Sequence, residues 1–134
     1  MVRALTDEDY EKLLRFRTEL RRFQQWSQER AQELGLTPAQ HQLLLAVRGH
    51  PGPEDPTVGD VAGHLLVRHH TVVGLVDRTQ ALGLLDRRPD AVDHRVVRLR
   101  LTQTGMTTLH SLSQAHLEEL SRLGPLLEGL DEHA

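Results

Sequence analysis

The chain has 134 residues, no cysteine, and 16 basic against 19 acidic side chains, for a net charge of −3 at neutral pH. The lack of cysteine excludes disulfide staples, thiol redox sensing, Cys-ligated zinc and a Cys nucleophile. The acidic balance excludes a globally basic nucleic-acid binder and leaves a local basic patch open. The length suits a single domain, 1–134. Its four aromatic residues are Tyr10, Phe16, Phe23 and Trp26, so Leu, Val and Ala must build the core. The start of the chain is acidic where a secretion signal is basic, and no apolar run approaches the 18 residues that span a bilayer. A cytoplasmic protein without a membrane partner is expected.

Thr6-Asp7-Glu8-Asp9 has the form of a capping box. From Tyr10 through Leu13, Leu14, Leu20 and Phe23 the apolar spacing is helical and predicts a long first helix ending near Gly35. Thr37-Pro38 opens a second helix with Leu43, Leu44 and Val47 on one face. Gly49 to Pro56 holds three prolines and two glycines and reads as a loop. Thr57 caps a short third helix with Val58, Val61, Ala62 and Leu65. A fourth carries Val72, Leu75, Val76 and Leu82 and stops at Gly83. The period then changes. Val97, Leu99 and Leu101 alternate with Arg98 and Arg100, which predicts a two-stranded hairpin with one wet, basic face. Thr102 caps a fifth helix with Met106, Leu109, Leu112, Leu117 and Leu120, and Gly124-Pro125 separates it from a short last one.

Short helix, turn, helix and basic hairpin, in that order, make a winged helix-turn-helix, in which the second helix enters a major groove and the hairpin reaches the neighbouring backbone. The fold class expected is therefore mainly α with a small β-hairpin, a winged helix-turn-helix flanked by N- and C-terminal helices. Between His64 and Arg100 stand seven arginines and four acids, a local +3 inside a −3 chain. Arg68, His69 and His70 crowd the start of the fourth helix, whose dipole end is already positive. A phosphate would relieve that conflict.

Several segments resemble the MarR family of bacterial transcriptional regulators. They are Gly35-Leu36-Thr37-Pro38-Ala39-Gln40, Thr57-Val58-Gly59-Asp60-Val61-Ala62, Thr71-Val72-Val73-Gly74-Leu75-Val76-Asp77-Arg78, Gly83-Leu84-Leu85, Asp93-His94-Arg95 and Leu101-Thr102-Gln103-Thr104-Gly105. The resemblance implies a homodimer on a pseudo-palindromic operator in double-stranded DNA, usually a repressor, often released by a small ligand. It places Arg95 at the wing tip, entering the minor groove, with Asp93 orienting it by a salt bridge. The DNA-reading part is expected over 36–101 and the dimerisation helices over 5–35 and 102–134. Expected DNA contacts are Arg68, His69, His70, Thr71, Val73, Gly74, Arg78, Arg88, His94, Arg95, Arg98 and Arg100, with Arg98 and Arg100 near phosphates. The chain departs from the family pattern at Arg68, where a small capping residue is usual, at Gly74, where a polar or basic residue is common, and at Thr79, where Leu is common. Gly74 lets the backbone approach either DNA or another helix.

Arg22, Trp26 and His41 are candidates for an effector site taking a small aromatic or carboxylate compound, since Arg pairs a carboxylate and Trp stacks on a ring. Core or dimer packing is the competing account of Trp26. The nine histidines include no i, i+4 His–His pair, so no metal site and no cofactor is assigned. No Gly-x-Ser-x-Gly turn, phosphate loop or His-Glu-x-x-His is present, so catalysis is not expected. Two alternatives to a ligand-released repressor stand: a winged-helix protein-interaction module without DNA binding, and a metal-responsive regulator.

Overall fold

The computed structural model describes residues 3–131. In chain order they form α1 (Asp7–Glu33), α2 (Pro38–Gly49), α3 (Val58–Leu65), α4 (His69–Ala81), β1 (Leu85–Pro89), β2 (Val97–Leu101), α5 (Gln103–Leu120) and α6 (Gly124–Asp131). This is the mainly helical winged fold with one antiparallel hairpin that the spacing predicts. Residues 132–134, at the end of the expected dimerisation segment, lie outside the described residues.

Three helices start in the same way. Thr6, Thr37 and Thr57 each sit at the N-cap in extended backbone, and each hydroxyl accepts from the N–H three residues on. The side chains there, Asp9, Gln40 and Asp60, accept in return from the cap's own N–H. Two otherwise unsatisfied donors are closed at each end, worth on the order of 1 kcal/mol per cap.

The core lies where α2, α3, α4 and the inner face of the hairpin meet. Leu43, Leu44, Val61, Val72, Val76, Leu85 and Leu99 are fully enclosed there, and Leu109 and Leu112 of α5 close it from one side. Leu82, expected on the buried stripe of α4, is half exposed, because the helix ends at Ala81 and Leu82 is its C-cap. The turn between α3 and α4 is made by Leu66, at φ 57° and ψ 42° and 91% exposed. A left-handed leucine costs about 1–2 kcal/mol, and no packing offsets it.

The hairpin pairs Leu85 with Leu101, Arg87 with Leu99 and Arg88 with Arg98. The far edge of β2 is covered too. The Leu99 N–H donates to the Pro56 carbonyl at 2.8 Å, and Thr57 bridges to Arg98. The end of the proline-rich loop thus adds a short third rung to the sheet and ties the wing to the start of α3. By contrast, α1 is nearly bare. Of its 27 residues only Asp9 and Ala31 are buried.

Candidate nucleic-acid interface

Burial of Val72, Leu75, Val76 and Thr79 decides which side of α4 faces out. Thr79 sits in the core without penalty because its hydroxyl donates to the Leu75 carbonyl at 2.8 Å. The outer side then shows Thr71, Val73, Asp77 and Arg78 to solvent, with Gly74 half-buried among them. Among the described residues a side chain at Gly74 would meet only the tip of Arg78, at 3.4 Å, so no other described helix accounts for this glycine.

The start of α4 lacks what the other capped helices have. Arg68 stands at the N-cap and offers no side-chain acceptor. Arg68, His69 and His70 are all exposed, and none makes a side-chain hydrogen bond or ion pair among the described residues. Free N–H groups, the positive helix end and three basic side chains therefore coincide, an arrangement that favours an anion. Arg78 and Arg88 are likewise exposed and unpaired among the described residues, and His94 is exposed at the wing tip. Between α4 and the wing runs a groove of about 520 Å³, lined by His69, Val73, Arg87, Arg95 and Val97 among others.

The wing tip is organised by its own polar groups. The Asp90 N–H donates to the Val96 carbonyl at 2.8 Å and closes the loop. Asp90 Oδ2 accepts from the N–H groups of Val92 and Asp93 at 3.1 and 2.9 Å. Asp93 in turn receives the Arg95 N–H and Nε on Oδ1, at 3.1 and 3.0 Å, and Nη2 on Oδ2 at 3.2 Å. The expected Asp93–Arg95 pair is present, and Arg95 remains 91% exposed. The Asp93 N–H, then Arg98, then the Val92 N–H hold the Asp90 carboxyl down at about 2. The Arg95 side chain and N–H hold Asp93 below its ordinary value.

Arg98 departs from expectation. It is not a free cation on a wet face. Its Nε donates to Asp90 Oδ1 at 2.6 Å, its Nη1 to the Asp55 carbonyl at 2.7 Å, and its Nη2 lies 2.9 Å from Glu54. Only 23% of the side chain is exposed. Arg100 is half exposed and paired with Asp55 at 3.1 Å. Glu54 and Asp55 therefore offset part of the positive charge counted along the hairpin. Arg87 is also occupied. It bonds Asp77 and Gln80 of α4, with Nη2 3.5 Å from the Val73 carbonyl, and so fastens α4 to β1.

The expected effector trio does not assemble. Arg22 is exposed and pairs with Glu19 at 2.7 Å, one turn back on α1. Trp26 packs on Phe23 and on His116, with Arg30 over its ring. His41 is buried and meets the edge of His116, their ring centres 4.7 Å apart. His116 Nδ1 bonds the Leu112 carbonyl at 2.7 Å, which can only accept, so Nδ1 carries the proton and Nε2 accepts from Ser27 Oγ at 2.6 Å. These histidines line a cleft of about 660 Å³ between α1, α2 and α5, together with Phe23, Ser27, Gln42, Leu45, Leu117 and Leu120. Among the described residues, neither Arg nor Lys lines it. A second histidine pair, His50 Nδ1 to His64 Nε2 at 2.8 Å, joins the end of α2 to α3 beside Asp60. Spacing along the chain does not reveal either pair. Among the described residues no three His, Asp or Glu side chains group so as to hold a metal ion.

Comparison with known proteins agrees with this geometry. A family model described as the MarR family matches residues 34–96, the stretch from the start of α2 to the wing tip. That stretch is a little under half of the chain, and over it the chain is similar to the MarR family. Over 99 residues, 73% of its length, it is 25% identical to the HTH-type transcriptional regulator PecS of Dickeya dadantii (strain 3937), of which it spans 60%. The structure of a MarR family protein from Bacillus stearothermophilus is 26% identical, with a TM-score of 0.71 over 90% of this chain and 82% of that one. The MepR–DNA complex from S. aureus shares the fold at 20% identity, with a TM-score of 0.73 over 97% of this chain and 94% of that one. The wing strand β2 and helix α5, like α1, fall outside the matched family segment.

Proposed function

We propose that this chain is a sequence-specific regulator of transcription, not an enzyme, that binds double-stranded DNA as a homodimer. The observation that carries this reading is the uncapped, basic start of α4 set beside the exposed Arg95 of the wing. The unit over 36–101 reads DNA, with Arg68, His69, His70, Thr71, Val73, Gly74 and Arg78 at the major groove, Arg88 and His94 beside it, and Arg95 in the flanking minor groove. The segments 5–35 and 102–134 pair two copies. In support, Tyr10, Leu13 and Leu14 of α1 and Leu117 and Leu120 of α5 are apolar and exposed, a load that one copy leaves uncovered. A dimer seated on a pseudo-palindromic operator blocks that stretch of DNA, so repression is the mode we assign.

The cleft beside His41 and His116 is where an effector binds. Its lining offers rings, Ser and Gln but no cation, so the compound is uncharged and aromatic rather than a carboxylate. That revises the expectation built on Arg22. The reading is tested by fluorescence anisotropy on a duplex recovered from a random pool, against an arbitrary duplex, at two salt concentrations. The recovered duplex should bind at least about a thousandfold tighter. Equal affinity for both would overturn the reading.

A further inference from the structure

We infer that Arg98 aims Arg95, acting through Asp90 and the wing loop, and touches no DNA itself. The inference rests on the reading of Arg95 as the residue that enters the minor groove. It makes Arg98 a positioning residue for that contact.

The polar connections run without a gap from the body of the protein to the tip. Asp55 and Glu54, in the loop before α3, hold two corners of the Arg98 guanidinium. Its third nitrogen holds Asp90 Oδ1. The other oxygen of Asp90 receives the Asp93 N–H, and Asp93 holds Arg95 on three donors. All three nitrogens of Arg98 are thus committed inside the protein, and to reach a phosphate it would have to release Asp90. Side-chain exposure rises along the relay from 16% at Asp90 to 41% at Asp93 and 91% at Arg95.

Apolar packing does not do this work. Val92, at the tip, is 92% exposed, and the loop between β1 and β2 contributes no residue to the core. An exposed arginine on such a loop loses several rotors on entering a groove. Each side chain ordered in advance spares part of that cost, about 3- to 10-fold in affinity. Arg88 faces Arg98 across the ladder. Two cations there repel, which favours the Arg98 head turning toward Asp90 and Glu54, away from its neighbour.

A double-mutant cycle on the recovered duplex tests this, with Arg95→Ala, Arg98→Gln, the double variant, Arg98→Lys and Asp90→Asn, each checked for fold and dimer. Arg98→Gln should weaken binding about 3- to 10-fold per protomer and leave the salt dependence unchanged. In the Arg95→Ala background it should cost nothing more. Arg98→Lys should fail to restore binding, because an ammonium cannot hold three acceptors in a plane. Asp90→Asn keeps an acceptor for the loop N–H groups and removes the charge that holds Arg98. It should repeat the Arg98→Gln phenotype, and it replaces that variant in the cycle if Arg98→Gln does not fold. Additive losses, a salt slope shallower by about two for the dimer, or rescue by lysine would each overturn the inference and make Arg98 a phosphate contact. If Arg95→Ala alone leaves binding unchanged, the groove reading of Arg95 falls, and this inference falls with it.

Discussion

Gly105 passes so close beneath the Leu84 carbonyl that a Cβ on it would collide with that oxygen. The approach is held by Thr102, which caps α5. Its N–H donates to the Leu84 carbonyl at 3.1 Å, its hydroxyl donates to the Gly83 carbonyl at 2.6 Å, and that hydroxyl accepts from the Gly105 N–H at 3.0 Å. This junction joins the last helices to the start of β1, and through it the wing unit is fixed to the segments proposed to dimerise.

Gly105→Ala should therefore destabilise the fold by about 1–3 kcal/mol, the range for a forced clash at a packed site. The obstacle is the Leu84 backbone, which cannot rotate away. Urea denaturation checks it. Gly63→Ala, where a Cβ meets nothing within 4 Å, is the control and should be neutral or slightly stabilising.

Acid should loosen the protein at His41. Burial, and then the neighbouring His116, push its pKa below the usual 6.5. The unfolded chain takes up that proton near 6.5 and the folded chain resists it. Stability is thus level above that pH and falls as the pH drops below it toward the folded value. Denaturation midpoints at pH 7.5 and 5.0 should differ, and His41→Gln should narrow the difference.

Two copies should be found in solution. Sedimentation at micromolar concentration should give a dimer, and Leu14→Glu or Leu117→Glu should shift it to a folded monomer. A stable wild-type monomer would contradict the assigned pairing.

The helices, their caps and the hairpin are legible in the sequence because they depend on neighbours a few residues away. Thr6, Thr37, Thr57 and Thr102 each announce a start, and the alternation over Val97–Leu101 announces a strand. The charge of the wing is not legible. The Asp55 carbonyl that engages Arg98 is 43 residues earlier in the chain, and nothing in the spacing marks it as a partner. Asp90, the hub of the tip, takes that role through Arg98 and two loop N–H groups that nothing in the local spacing marks. The effector trio fails for a similar reason. Arg22 and Trp26 lie about one turn apart on α1, but Arg22 turns away to Glu19, while His116, distant in sequence, takes the place beside His41.

Unpaired and paired cations should behave differently on DNA. Arg78→Ala and Arg88→Ala should each reduce the steepness of the salt dependence, by about two for the dimer if each contacts one phosphate per half-site. Arg100→Ala should do less, since Asp55 already offsets its charge. Titrations from low to physiological salt on the same duplex make the comparison.

The central claim, that two copies read DNA through α4 and the wing, is tested most directly by sequencing the duplexes that the wild-type protein recovers from a random pool. Two α4 helices related by a two-fold axis should enrich an inverted repeat, with half-site centres about 10–10.5 base pairs, or about 34 Å, apart. A·T pairs should be favoured in the flanks, where Arg95 meets the minor groove. No enrichment, or a single motif without a repeat, would contradict it.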